Sequence, residues 1–216
     1  MNTILQKLKT VHTPYDYHAW WQYLEAKGRE LYGAKFSLFV EDELIVFKLI
    51  AWFLQDVEMT NYLGIHLHKG IMLTGPVGCG KTTLMSLMRY IPPPMQRHRL
   101  KSSREVAFEY SAEGYQVITR YTKTCFHPDS RIPITFCFDD VGLEPVVMYY
   151  GNESNTMAEI LLSRYDYYVQ NNMLTHITTN LSAQEIQERY GVRVRSRCRE
   201  LFNLIAFSSN SADKRK

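Results

Sequence analysis

At 216 residues, with 45% apolar and 22% charged residues, the chain has the makeup of a soluble globular protein, enough for one α/β domain with an appendage or two small domains. A formal net charge of +3 neither requires nor excludes a nucleic-acid partner, so local clusters decide that question. The four cysteines, Cys79, Cys125, Cys137 and Cys198, form no Cys-x-x-Cys pair and have no nearby histidine pattern, which argues against structural zinc and for a reduced, cytoplasmic chain.

The first ten residues, MNTILQKLKT, lack the long apolar run of a signal peptide. Residues 15–32 read as a helix ending at Gly33, with Tyr15, Trp20, Tyr23 and Tyr32 among charged residues. The adjacent Trp20 and Trp21 make residues 1–35 a candidate partner-binding segment. A second helix is expected over 40–57, where Leu44, Phe47, Ile50, Ala51 and Leu54 recur at helical spacing. Its apolar window, Leu44 to Leu54, contains Lys48 and is too short to span a bilayer, so no membrane partner is expected.

"GIMLTG" then reads as a buried strand running into a glycine-rich loop and a helix from about Lys81 to Tyr90, which the prolines at 92–94 end. Residues 97–130 resist assignment. "PITFCFDD" (133–140) has the continuous apolar character of a strand buried on both faces, and it ends in two carboxylates. After a polar loop at 151–154, Met157, Ile160, Leu161, Tyr165, Tyr168 and Val169 mark a helix ending near Asn171. "MLTHITTN" (173–180) is another inner strand, Ser182 and Glu185 have capping-box spacing, and "FNLIAF" is a last strand. The tail, 208–216, is expected to be disordered. Strands alternating with helices predict a three-layer α/β domain with a parallel sheet.

"GPVGCGKTT" (75–83) satisfies G-x-x-x-x-G-K-[ST] between a strand and a helix, the context a phosphate-binding loop requires. Gly75, Gly78 and Gly80 let backbone N–H groups of Pro76-Val77-Gly78-Cys79-Gly80 and the following helix turn toward a phosphate, proline itself lacking a donor. Lys81 supplies a point charge for β- and γ-phosphates, and Thr82, followed by Thr83, offers a hydroxyl to Mg²⁺. The strand end brings a second part: Asp139 suits the Mg²⁺ shell, and Asp140 suits polarisation of an attacking water. An aspartate where a glutamate is commoner shortens that reach. Asn180 ends the next inner strand, placed for the γ-phosphate or the attacking water. ATP and Mg²⁺ are the expected cofactors.

This order of parts resembles the AAA+ superfamily, and within it the helicase loaders and the transposition-helper ATPases of insertion sequences. "FDDVGLE", "LLSRYDYYVQNNMLTHITTN" and "LSAQEIQERYGVRVRSRCRE" carry the likeness, which covers about residues 40–207. It implies a three-layer αβα P-loop NTPase core over 36–207 with N-terminal helices. With only 208–216 after the last strand, no C-terminal helical lid is expected. It also implies ATP hydrolysis, slow or partner-stimulated, and self-association into a ring or filament in which one subunit's arginine completes its neighbour's site. Arg197, in the Ser-Arg pair, is the first choice for that arginine and Arg193 the second. The other arginines of the run, Arg189, Arg195 and Arg199, are expected to pair with acids such as Glu188 and Glu200. Single-stranded DNA and a helicase or transposase are the partners the resemblance implies.

"RHRLKSSR" (97–104) adds three arginines, a lysine and a histidine with no acid, a candidate DNA contact. Tyr110, Tyr115 and Tyr121 follow and could stack bases, although tyrosines at this density are more often packing residues. Two other readings stay open: a nucleotide-gated switch that hardly hydrolyses, and a small-molecule P-loop kinase.

Overall fold

The structure, a computed structural model, describes residues 12–149 and 152–215. The first eleven residues of the N-terminal segment, residues 150 and 151, and the last residue of the tail lie outside the described residues. The chain divides into two compact units: Met1–Leu67 with Thr83–Arg97, and His68–Thr82 with His98–Lys216.

In the first unit, α1 (Tyr17–Tyr32) starts where Asp16 accepts hydrogen bonds from the His18 and Ala19 N–H groups and ends at Gly33. Tyr17 and Trp21 set their ring edges against Phe47, with centroids 5.7 and 5.9 Å away. The second periodic stretch is not one helix. A 3₁₀ turn at Val40–Asp42 leads into α2 (Glu43–Phe53), and the chain breaks at Gln55, whose φ is +56°. Asp56 causes the restart: its carboxylate caps α3 (Val57–Leu63) through the Met59 N–H and also accepts the Tyr17 hydroxyl. Apolar spacing continues across that break, which is why periodicity alone misses it.

The second unit is built on a sheet. In chain order from Gly70 the elements are β1 (Gly70–Thr74), α4 (Lys81–Met88), which from Thr83 onward belongs to the first unit, β2 (Arg99–Ser102), α5 (Ser103–Glu113), α6 (Tyr115–Tyr121), β3 (Phe136–Val141), β4 (Val147–Tyr149), β5 (Asn152–Ser154), α7 (Thr156–Asn171), β6 (Thr175–Thr179), α8 (Ala183–Leu201) and β7 (Phe202–Ala206). The sheet has five strands in the order β2-β3-β6-β1-β7, and every pairing within it is parallel. The stretch that resisted assignment is β2, α5 and α6, two short helices parted by the single Gly114. Of the polar loop expected at 151–154, residues 152–154 are instead the second arm of an antiparallel hairpin, with Val147 opposite Ser154 and Met148 opposite Glu153. Strands of three residues are too short to show alternation.

Phe138, Ile177, Met157, Ile160, Leu161 and Tyr110 are fully buried in the core of this unit. So is Arg164, which pairs with no carboxylate among the described residues. Its Nε donates to Thr175 Oγ1 (2.7 Å), and its two terminal nitrogens donate to the Tyr121, Ile134 and Leu174 carbonyls at 2.7, 3.2 and 2.8 Å. The guanidinium therefore ends the hydrogen-bond deficit of three separate chain segments at once. No helix among the described residues is long and apolar enough to cross a membrane.

Candidate nucleotide-binding site

Register places the site. Thr74 of β1 lies beside Thr179 of β6, and Phe138 of β3 lies beside Ile177, so the loops after β1, β3 and β6 leave the sheet at one carboxyl edge. That edge is where open α/β sheets bind ligands. The loop from Gly75 to Gly80 starts there, and Lys81 opens α4. Gly78 and Gly80 have φ of +80° and +100°, values that let consecutive peptide groups turn toward one point.

Lys81 is 5% exposed. Its Nζ donates to the Gly75 and Pro76 carbonyls, both at 2.9 Å, and to Asn180 Oδ1. No carboxylate pairs with this buried cation among the described residues, so its charge is available to an anion. The Thr82 hydroxyl lies 2.9 and 3.0 Å from the two Asp139 carboxylate oxygens. Thus the structure brings together Lys81, Thr82, Asp139 and Asn180. Burial holds the Asp139 carboxyl above its ordinary range. Bonds from the Thr178 and Thr82 hydroxyls oppose this, Asp140 reinforces it, and the Lys81 charge opposes it.

Asp140 follows in a left-handed conformation, φ +54°, at a register shift in β3. Its carboxylate makes no hydrogen bond or ion pair among the described residues. A hydroxyl and a carboxylate side by side suit a hard, oxygen-seeking cation such as Mg²⁺, and Thr82 and Asp139 could hold it. Among the described residues no three His, Cys, Asp or Glu side chains gather to hold a metal, so such a cation would draw its remaining ligands from phosphate and water.

The tail expected to be disordered runs back along the phosphate loop. The Lys214 N–H donates to the Gly78 carbonyl at 3.0 Å, and a Cβ on Gly78 would lie 2.2 Å from the Asp213 side chain.

The arginine run lies on α8, which opens with the expected capping box at Ser182 and Glu185 and kinks at Gly191, φ +87°. Arg189 reaches the buried Glu144 rather than Glu188. Glu144 also accepts the Tyr190 hydroxyl and the Gly142 N–H, which ties the loop after Asp140 to α8. Arg197 stacks 4.1 Å over the Tyr165 ring and bonds Tyr165 Oη and Glu200 at 3.1 Å each. Arg195 donates to Gln187. Arg193 is exposed and has no hydrogen bond or ion pair among the described residues.

The basic stretch 97–104 is broken up by its fold. His98 is buried, Lys101 pairs with Glu105 (2.7 Å) and Glu109 (2.8 Å), and Arg97 donates to the Pro92 carbonyl. Tyr110 and Tyr121 are core residues, while Tyr115 is exposed. Residues that sequence reading missed are Thr178, Ser103 and Glu144. The one available signal was three threonines inside "THITT", a strand that is buried at every position.

The five-stranded parallel sheet, with the glycine-rich loop running from β1 into α4, is an α/β fold that the chain shares with solved structures. In particular, the chain is similar to the DnaC helicase loader, with 18% identity over 79% of this chain and 92% of that chain and a TM-score of 0.54. It is also similar to DnaI, with 17% identity over 80% of this chain and 88% of that chain and a TM-score of 0.53. At such identities the shared property is the fold. The sequence matches no protein-family model and no curated protein.

Proposed function

We propose that the protein binds ATP·Mg²⁺, hydrolyses it to ADP and phosphate, assembles with copies of itself, and acts on DNA or on a DNA-bound protein such as a helicase. The observation that carries this reading is the meeting of Lys81, Thr82, Asp139 and Asn180 at one sheet edge. Lys81 and the loop N–H groups hold the β- and γ-phosphates, and Thr82 and Asp139 hold the cation, which neutralises phosphate charge when bound. Asn180, already bonded to Lys81, orients the γ-phosphate or the water. Asp140, with its carboxylate free, draws a proton from water as the water oxygen bonds to phosphorus and the bond to ADP breaks. Similarity to the helicase loaders supports the replication setting.

An arginine from the next subunit completes the site. Arg197 and Arg193 are the two choices, and their surroundings favour the second. Arg197 is already engaged by Tyr165 and Glu200, whereas Arg193 has no hydrogen bond or ion pair among the described residues. In the basic stretch at 97–104, Lys101 is paired and His98 is buried, whereas Arg99 and Arg104 are exposed and make no ion pair among the described residues, so a DNA contact there would rest on these two arginines.

The test is nucleotide binding and turnover with single variants. Lys81→Ala should abolish binding of a fluorescent ATP analogue. Asp140→Asn should keep binding and lower turnover roughly 100-fold or more. Undiminished turnover in Asp140→Asn would remove that residue from the chemistry. Tight binding by the unaltered protein, without turnover in any condition including added single-stranded DNA, would leave the gated switch as the function.

A further inference from the structure

Thr178 lies in β6, fully buried, two residues before Asn180. Its hydroxyl accepts the Asp140 N–H at 2.8 Å and donates to Asp139 Oδ1 at 2.6 Å. One hydroxyl thereby joins the backbone of one acid to the side chain of the other. From the opposite side of β3, Ser103, also fully buried, donates its hydroxyl to the Asp140 carbonyl at 2.8 Å. The Asp140 residue is gripped at both its N–H and its C=O, by β6 and by the start of α5. What they grip is a non-glycine residue at φ +54°, a conformation that persists only where the surroundings over-determine it.

We infer that Thr178 is a positioning residue for both acids. It fixes the Asp139 carboxylate against Thr82 and, through the Asp140 backbone, sets the direction of the Asp140 carboxylate. Ser103 is the brace on the far side. The inference rests on the assignment of Asp139 to the cation and Asp140 to the water. It adds to that reading a hydroxyl pair that transmits no charge to the nucleotide itself. Thr178 contacts Asp139 and Asp140, so its loss disturbs cation binding and chemistry together. Ser103 contacts only Asp140, so its loss disturbs chemistry alone.

The experiment uses the full chain with Thr178→Val, which keeps the shape and removes the hydroxyl, and Thr178→Ser, which restores it. Three quantities are read: affinity for a fluorescent ATP analogue without Mg²⁺, the Mg²⁺ concentration for half-maximal tightening of that binding, and kcat against KM. Thr178→Val should bind nucleotide normally without Mg²⁺, should raise the Mg²⁺ requirement and lower kcat by roughly tenfold or more, and should leave KM near normal at saturating Mg²⁺. Thr178→Ser should recover both. A folded Thr178→Val with the parent Mg²⁺ requirement overturns the inference, as does a Thr178→Ser no better than the valine variant. Ser103→Ala provides an independent arm should the valine variant not fold. It should lower kcat with the Mg²⁺ requirement unchanged, and a normal kcat there counts against the grip on Asp140. Failure of the parent reading looks different: the unaltered chain would not bind nucleotide at all. If it binds without turning over, the Mg²⁺ measurement still decides the role of Thr178.

Discussion

Ile71 in β1 donates its backbone N–H to Nδ1 of His176 at 3.0 Å, which requires that nitrogen to be unprotonated. His176 is fully buried, and burial pushes its pKa well below the ordinary histidine range, with nearby His98 and Arg164 pushing the same way. The native state therefore keeps this imidazole neutral while the unfolded chain protonates it near its ordinary value. With the folded value depressed, stability is full above about pH 6.5 and is lost as the pH falls below it, at a limiting slope of about 1.4 kcal/mol per unit for one proton. Urea unfolding at pH 7.5 and 5.5 should show this loss in the unaltered protein and a smaller one in His176→Gln. An equal loss in both would assign the pH dependence elsewhere. At the same scale, the sequence showed which residue types the nucleotide loop and acidic strand end supply, because those are spaced along the chain. It did not show the clamp on Asp140, whose members Ser103 and Thr178 are brought together only by strand pairing.

Among the elements, α7 is held by an unusual device. Arg164 projects from it into the core and satisfies carbonyls at the end of α6, ahead of β3 and at the start of β6. Truncating it would remove the guanidinium donor from the Tyr121 and Leu174 carbonyls and the Thr175 hydroxyl and leave the Ile134 carbonyl only the weak Cys125 thiol, each lost partner costing about 1–3 kcal/mol before any relaxation. Arg164→Ala should lower unfolding stability by about 3 kcal/mol or more in urea titration. Arg164→Lys should recover little, since one ammonium cannot reproduce the planar fork. A loss under about 1 kcal/mol would mean that water replaces the guanidinium. Helix ends were partly legible: Gly33 and the residues around Asn171 end helices and the Ser182–Glu185 capping box starts one as read, whereas the Asp16 cap of α1 was not read. The Gln55 break and the hairpin after β3 were not legible, because apolar spacing runs through the first and the second is too short to show a period.

For the whole molecule, the question is whether the arginines of α8 act on another copy. Arg193, exposed and uncommitted, is predicted to matter more than Arg197, which is stacked on Tyr165 and bonded to Glu200. Arg193→Ala should lower turnover by roughly 10³-fold if it serves a neighbour's phosphates. Mixing it with inactive Lys81→Ala should restore part of the activity, because one variant supplies the arginine and the other the intact loop. No recovery in mixtures, with a monomer in every nucleotide state by light scattering, would end the trans assignment. The Glu144 link from the Asp140 loop to Arg189 and Tyr190 gives α8 a mechanical connection to its own site as well.

By itself the sequence determined the loop, the two acids and the strand-ending asparagine, because each is a local pattern whose chemistry depends on neighbours in the chain. It also determined the alternation that makes a parallel sheet, since buried strands and capped helices announce themselves within a few residues. The tertiary structure alone decided which arginines of α8 are engaged among the described residues, that Lys101 of the basic stretch is paired, and which hydroxyls bond to the two acids. Those outcomes depend on contacts between residues dozens of positions apart, and hydrogen-bond partners at that separation are fixed by strand order and register.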